Sequence, residues 1–258
     1  MEWSQLLSGE RVRKHTYKNQ HDYRSEFEKD YHRIIVSAAF RRLQDKTQVF
    51  PLDKSDFIRT RLTHSMEVSS IGKSFGKAVY HAVLEKHPKA ELTEAQAVEI
   101  GDVLLSAGLI HDIGNPPFGH FGENVIREWF AKKLTNQGLQ YKGKPVVEYL
   151  NPQMKADFLN FEGNAQALRV VTKLHSLVDA KGMNLTKAIL NTIIKYPVSS
   201  LGIDAKSGDI KTKKMGYFYA ERDVFRAITE GTGAKGNRYP LVYLLEASDD
   251  IAYKTADV

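Results

Sequence analysis

The chain has 258 residues, 42% of them hydrophobic and 26% charged, which excludes a largely disordered polymer and supplies a core for one large domain or two small ones. It contains no cysteine, so disulfides and thiolate metal sites are excluded and any metal must be held by His, Asp and Glu, a donor set that suits Mg²⁺, Mn²⁺, Fe or Zn²⁺. A net charge of +6 and a pI near 9.2 favour anionic partners such as phosphates, nucleotides or nucleic acid.

The opening MEWSQLLSGERVRK has no apolar h-region and is not a secretory signal. No apolar run approaches the roughly 18 residues of a membrane span, so a cytoplasmic protein without a membrane partner is expected. Residues 1–30 are polar and read as a loose N-terminal arm leading into a helix near residue 25; residues 31–258 read as the main domain. In FEKDYHRIIVSAAFRRLQDKTQ, the residues Phe27, Tyr31, Ile34, Ile35, Ala38 and Ala39 recur at helical spacing. PLDKSD, residues 51–56, is a turn.

A second helix runs from Thr63 to about Leu84 on Met66, Val68, Ile71, Phe75, Val79 and Val83. Thr93, with Gln96 three residues on, forms a capping box for a third helix, which includes the apolar run Val103–Ile110. A short amphipathic helix is expected over Asn124–Leu134, and residues 135–158 read as polar surface. FEGNAQALRVVTKL from 161 and LTKAILNTIIKY from 185 read as two more helices. Residues 198–223 are rich in Gly, Ser and Lys, with β-prone pieces that suit a loop or one small hairpin. YPLVYLLEASDDIAYKTADV is an apolar helix that turns polar at Ser248 and reaches Val258 without a cap, which reads as a chain cut short. Seven or more helices against at most one hairpin make the class mainly α.

Chemistry concentrates in AGLIHDIGNPPFGHFGE, residues 107–123. His111 and Asp112 end the apolar run, Gly114, Pro116 and Pro117 break the helix, and His120 and Glu123 follow three apart. Adjacent helical residues diverge by about 100°, so an ion shared by His111 and Asp112 needs ligands from other helices. His64 at a helix start and the acids Asp249 and Asp250 are the candidates, since a near-buried acid is costly unless it is paired or bound to a cation. His64, His111, Asp112 and Asp249 together offer two imidazoles and two carboxylates, an octahedral site with positions left for water and substrate. EGTGAKGNR, from Glu230, is Gly-rich and basic but does not fit the P-loop pattern; it reads as a mobile loop near phosphate.

The pattern H…HD…D, with HDIGNPPFGHFGE at its centre, resembles the HD-domain phosphohydrolases and, more narrowly, the deoxynucleoside triphosphate triphosphohydrolases, the dGTPase group. FRRLQDKTQVFPL, RTRLTHSMEV, NFEGNAQALR and EASDDIAYKTADV resemble that group in its chain order. The resemblance implies an HD-domain helical bundle and a divalent metal, Mg or Mn first, with Zn, Ni or Fe as alternatives. It implies hydrolysis of a dNTP, dGTP first, to the deoxynucleoside and inorganic triphosphate. It also implies a homo-oligomer, with a nucleotide or single-stranded DNA as an effector, and a domain whose C-terminal part lies beyond residue 258.

Residue by residue, the resemblance makes His64, His111, Asp112 and Asp249 the metal ligands. Asp249 is preferred to Asp250 because Tyr253 and Asp257 then share its helix face, as phosphate-side tyrosine and sugar-side acid. His120 and Glu123 match the catalytic pair: an imidazolium held charged by a carboxylate can protonate the alkoxide that leaves the α-phosphorus. The plainer reading of the pair is a helix cap and a dipole-complementing acid. Arg61 is expected on a substrate phosphate, Gln48 on the sugar 3′ hydroxyl and Asn115 as a weaker substrate contact, with Glu162 and Asn164 supporting the site. Two alternatives stay open at this level: an HD-type nucleotide phosphomonoesterase or phosphodiesterase, and an inactive module that binds nucleotide or single-stranded DNA.

Overall fold

A computed structural model describes residues 2–13, 21–48, 58–175 and 182–255; the turn expected at 51–56 and Asp257 lie outside them. Among the described residues the helices are α1 (Trp3–Leu6), α2 (Glu26–Ile35), α3 (Ala38–Arg41), α4 (Arg61–Lys86), α5 (Glu94–Ile110) and α6 (Gly119–Lys133). They continue with α7 (Pro152–Leu159), α8 (Gly163–Arg169), α9 (Lys187–Thr192), α10 (Arg222–Gly231) and α11 (Pro240–Lys254). The fold is therefore mainly α. No helix among the described residues is long and apolar enough to cross a membrane.

The spine is the pair α4 and α5. Capping boxes start both, Thr60 with Thr63 and Thr93 with Gln96. Glycines let the two backbones close: a Cβ on Gly76 would lie 2.4 Å from the Ala97 carbonyl oxygen, and one on Gly108 would lie 2.6 Å from Ser69 Cα. These contacts run in opposite chain order, so the helices are antiparallel and the first turn of α4 meets the last turn of α5. Val68, Ile100, Val103, Leu104, Ala107 and Ile110 are buried there, and α11 adds Leu241, Val242, Leu245 and Ala252 to the same core.

Three expectations change. The helix expected to run on from Phe27 is two, because the Ser37 hydroxyl accepts the Phe40 N–H and restarts the chain as α3. The N-terminal arm is not loose over residues 2–13: Leu6 and Leu7 are buried, Tyr239 Oη donates to the Leu6 carbonyl at 2.6 Å, and buried Arg11 pairs with Asp30 at 2.6 Å. The one hairpin of the described residues pairs Gln140–Tyr141 with Lys144–Pro145 and does not fall in 198–223. Lys142 and Gly143 at its tip both take positive φ, 50° and 75°, as a tight two-residue hairpin turn requires. Residues 198–223 instead form three 3₁₀ turns before α10 begins, where the side chains of Asp204, Ser207, Asp209 and Thr212 bond the nearby backbone in place of a regular ladder.

Candidate active site

His64 sits in the first turn of α4, His111 at the C-cap of α5 and Asp249 in the last third of α11. The antiparallel packing brings them together. His64 Nε2 is 3.0 Å from Asp249 Oδ1, His111 Nε2 is 3.6 Å from the same oxygen, and the two imidazole rings meet edge to face at 5.4 Å. One donor atom from each of the three lies within 4.8 Å of the others. His111 Nδ1 donates to the Gly108 carbonyl at 2.7 Å, which leaves Nε2 as the lone-pair nitrogen, aimed at the acids.

Asp112 stands beside this cluster. Its Oδ1 lies 3.6 Å from His111 Nε2 and accepts from Asn115 Nδ2 at 2.6 Å, while Oδ2 accepts from the Arg61 guanidinium. Burial works against charge on Asp249, but His111 and His64 beside it, with Lys195, outweigh burial and hold the carboxyl well below the usual range. Burial also opposes charge on Asp112, and His111 and Arg61 again keep it ionised. On His111 burial favours the neutral ring, yet Asp112 and Asp249 raise its affinity for a proton.

This donor set fits a divalent cation. The buried His111 Nε2 has no hydrogen-bond partner, and an unpartnered buried lone pair beside ionised carboxylates is resolved by a bound cation. His64, His111 and Asp249 would hold it, with Asp112 adjacent.

The second half of the site is on α6. This helix begins at Gly119, earlier than the expected Asn124, because Phe118 takes a left-handed φ of 63° and turns the chain out of the Pro116–Pro117 break. His120 therefore lies in the first turn, with its side chain 83% exposed, and its Nδ1 is 3.0 Å from Glu123 Oε2. Glu123 is buried, and its Oε1 accepts the Gly163 N–H at 2.8 Å. Arg61 links the halves: it pairs with Asp112, and its Nη2 lies 3.2 Å from where a Cβ on Gly119 would stand.

The remaining expected residues fall around this pair of features. Gln48 is tied in by a bridge between Thr47 and Thr60, and its Oε1 is buried without a partner. Tyr253 is half-exposed, one turn beyond Asp249, while Asp250 is exposed. Asn115 holds Asp112 with its amide, and its carbonyl accepts from Lys46 at 2.9 Å. Buried Glu162 accepts from Asn164 at 2.7 Å and pairs with Arg127 and Lys214.

Several cations here carry no sequence signal of their own. Arg127 lies 3.5 Å from Glu123 and 3.3 Å from Glu162, and donates Nε to the Phe161 carbonyl. Lys195 lies 3.7 Å from Asp249 Oδ2. Burial and nearby Arg61 push the Lys46 amine down. Arg127 follows Glu123 by one helical turn, the only hint of its role that spacing offers.

The HD domain family matches residues 61–192, a stretch that holds His64, His111, Asp112, His120 and Glu123. The chain is 57% identical over 260 residues to a deoxyguanosinetriphosphate triphosphohydrolase-like protein of Listeria monocytogenes, covering 100% of this chain and 55% of that protein. It is 42% identical over 273 residues to a like-named protein of Synechocystis, with 100% and 59% coverage. It is 40% identical over 256 residues to the deoxyguanosinetriphosphate triphosphohydrolase of Klebsiella pneumoniae, with 90% and 49% coverage. The chain thus spans about half the length of the curated relatives it matches.

Proposed function

From a chain that belongs to the HD-domain family and is related to the deoxyguanosinetriphosphate triphosphohydrolase-like proteins, we propose metal-dependent hydrolysis of a deoxynucleoside triphosphate, dGTP first, to the deoxynucleoside and inorganic triphosphate. One juxtaposition carries the reading: a His–His–Asp cluster with an unpartnered lone pair on His111, and a separate His120–Glu123 pair on the helix whose first residue Arg61 approaches. A binding module has no use for the second pair, and a hydrolase that expels an alkoxide does.

His64, His111, Asp249 and Asp112 would hold a divalent ion, Mn²⁺ or Mg²⁺ first, which when bound polarises a phosphoryl oxygen and makes water a better nucleophile. The residues do the rest. Arg61 exchanges part of its bond to Asp112 for a phosphate oxygen, as its planar fork allows. Water adds to the α-phosphorus, the bond to O5′ breaks, and His120 delivers the proton that O5′ requires. With Nδ1 engaged by Glu123, Nε2 is the nitrogen that gives it. Gln48 offers an unpartnered carbonyl oxygen to the 3′ hydroxyl, and Tyr253 packs under the sugar to exclude a 2′ hydroxyl.

Mass spectrometry of products after incubation with a dNTP panel and Mn²⁺ tests this. Inorganic triphosphate is expected, and it is lost in His120→Ala. Orthophosphate or a linear nucleotide as product points to the phosphomonoesterase or phosphodiesterase alternative. No triphosphate from any dNTP, with His120→Ala behaving as the parent, overturns the proposal.

A further inference from the structure

The two sides of the proposed sugar pocket come from distant parts of the chain: Gln48 precedes α4, and Tyr253 stands one turn beyond Asp249 on α11. One side chain, Arg59, connects them. The bridge between Thr47 and Thr60 is antiparallel, and the Arg61 N–H donates to the Lys46 carbonyl at 2.9 Å in the same register. That register sets position 48 opposite position 59, so their side chains leave the same face of the pair. Arg59 then crosses to α11, where its Nη1 donates to the Ala252 carbonyl at 2.8 Å, 193 positions away in sequence.

The contact falls where a helix needs it. The last carbonyls of a helix lack an intrahelical N–H, and its C-terminus favours a cation. α11 ends at Lys254, so the Ala252 carbonyl belongs to this set; the Thr255 hydroxyl reaches it less closely, at 3.3 Å. Arg59 is itself aimed by Glu67, whose Oε1 lies 3.3 Å from Arg59 Nε. Glu67 follows His64 by three residues on α4, and its Oε2 is buried with no hydrogen-bond partner. The guanidinium offsets the charge of this half-withdrawn acid. Its planar fork serves both contacts at once, Nε toward α4 and Nη1 toward α11.

We propose that Arg59 is a positioning residue for sugar selection, which holds the end of α11 against the Gln48 segment and so sets the gap between Gln48 and Tyr253. This role rests on the proposed dNTP hydrolysis. With the strap intact, Tyr253 stays close under the sugar and a 2′ hydroxyl has no room. With the strap cut, the last turn of α11 frays, Tyr253 swings outward and a ribonucleotide enters. Asp249 lies one turn earlier and is held by His64, His111 and Lys195 instead. Sugar selection and ion binding therefore separate along one helix.

Steady-state hydrolysis of dGTP and GTP by the full chain with Mn²⁺ tests it. In Arg59→Ala the preference in kcat/KM for dGTP over GTP is expected to fall about tenfold, mostly through KM, with metal content at the parental value. Arg59→Lys is expected to recover part of the preference, because an ammonium reaches the Ala252 carbonyl without also engaging Glu67. Glu67→Gln, which loosens the aim of Arg59 but spares its bond to α11, is expected to lower the preference less. A loss of packing alone would slow both substrates alike and leave their ratio unchanged. Hydrogen exchange of the unliganded protein gives a reading without turnover: amides 253–255 are expected to exchange faster in Arg59→Ala while those of 243–248 hold. An unchanged preference in Arg59→Ala, or unchanged exchange at the end of α11, overturns the proposal and leaves the hydrolase reading standing. A parent that releases triphosphate from no dNTP overturns the hydrolase reading itself, and the role of Arg59 in selection falls with it.

Discussion

The two halves of the candidate active site are built in opposite senses. In the cluster of α4, α5 and α11 the imidazoles are buried, His64 at 1% and His111 at 3%, and the carboxylate they share is the partly open group. In the α6 pair the imidazole of His120 is 83% exposed and the carboxylate of Glu123 is 3% exposed. Buried imidazoles converging on one carboxylate oxygen suit an ion that stays. An exposed imidazole on a fixed, buried anion suits a proton that leaves. On the proposed reading, the same two residue types would serve different chemistry according to which of them is solvated.

The largest effects should come from dissolving the first half. Asp249→Ala removes the oxygen that both imidazoles face, and metal affinity should fall more than the ~10–100-fold typical of losing a supporting contact. Inductively coupled plasma analysis of dialysed protein reads this directly, and Asp250→Ala, which alters an exposed group, should retain the ion. His120→Ala should lower kcat by ~10²–10⁴-fold while metal content stays at the parental value. Metal loss in His120→Ala would erase the distinction between the halves.

The halves also divide on pH. With no metal bound, a proton on His111 is favoured by Asp112 and Asp249 against burial. Its pKa is raised, so it contributes stability that is complete below the ordinary histidine value of about 6.5 and is lost as pH rises through the raised value. Metal must displace that proton, so affinity for Mn²⁺ should climb with pH over the same window and level off above it. The carboxyls of Asp112 and Asp249 are lowered and stay ionised throughout. Competition titrations between pH 5.5 and about 8.5 would show the slope; a flat profile would mean that His111 is not displaced.

Legibility followed the same division. The long helices are legible because the Thr93 cap and the apolar spacing of both announce them, and HDIGNPPFGHFGE marks the candidate site. The choice of Asp249 over Asp250 rested on one helix face, and the structure puts Asp249 against His64 and leaves Asp250 exposed. The hairpin was misplaced because YKGK offers only four residues of signal against the longer Gly- and Lys-rich tract at 198–223. α10 carries little signal of its own: its charged face conceals the buried Ile228 and Thr229, and the Gly-rich loop behind it reads as coil. Lys195 and Lys214 have no legible role in the sequence, and Arg127 has only its spacing from Glu123, since a cation's role depends on which acid a distant segment brings to it.

Gly76→Ala should separate the halves by packing alone. Its Cβ would meet the Ala97 carbonyl at 2.4 Å and Gly101 N at 2.8 Å, backbone atoms that cannot swing aside. Overpacking of this kind costs ~1–3 kcal/mol, to be read from urea midpoints. Metal affinity should fall with it as α4 and α5 part. The rate per metal-bound molecule should hold, because Gly76 lies about four turns along α4 from Arg61, the residue that approaches α6.

The smallest effect expected is on the partner of Glu123. Arg127 is partly exposed and stands 3.5 Å from Glu123 and 3.3 Å from Glu162. When it becomes alanine, the Gly163 N–H still holds Glu123 Oε1, and Lys214 still pairs with buried Glu162 at 3.0 Å. Neither acid is left unpartnered, so stability should change by no more than ~1 kcal/mol. What is lost is the clamp that aims Glu123 Oε2 at His120, and kcat should fall only several-fold with KM unchanged. Arg127→Lys should recover part of it, because an ammonium restores the charge but cannot also donate Nε to the Phe161 carbonyl. A drop as deep as that of His120→Ala would mean that Arg127 meets the substrate itself, and the line between the two halves would have to be redrawn around it.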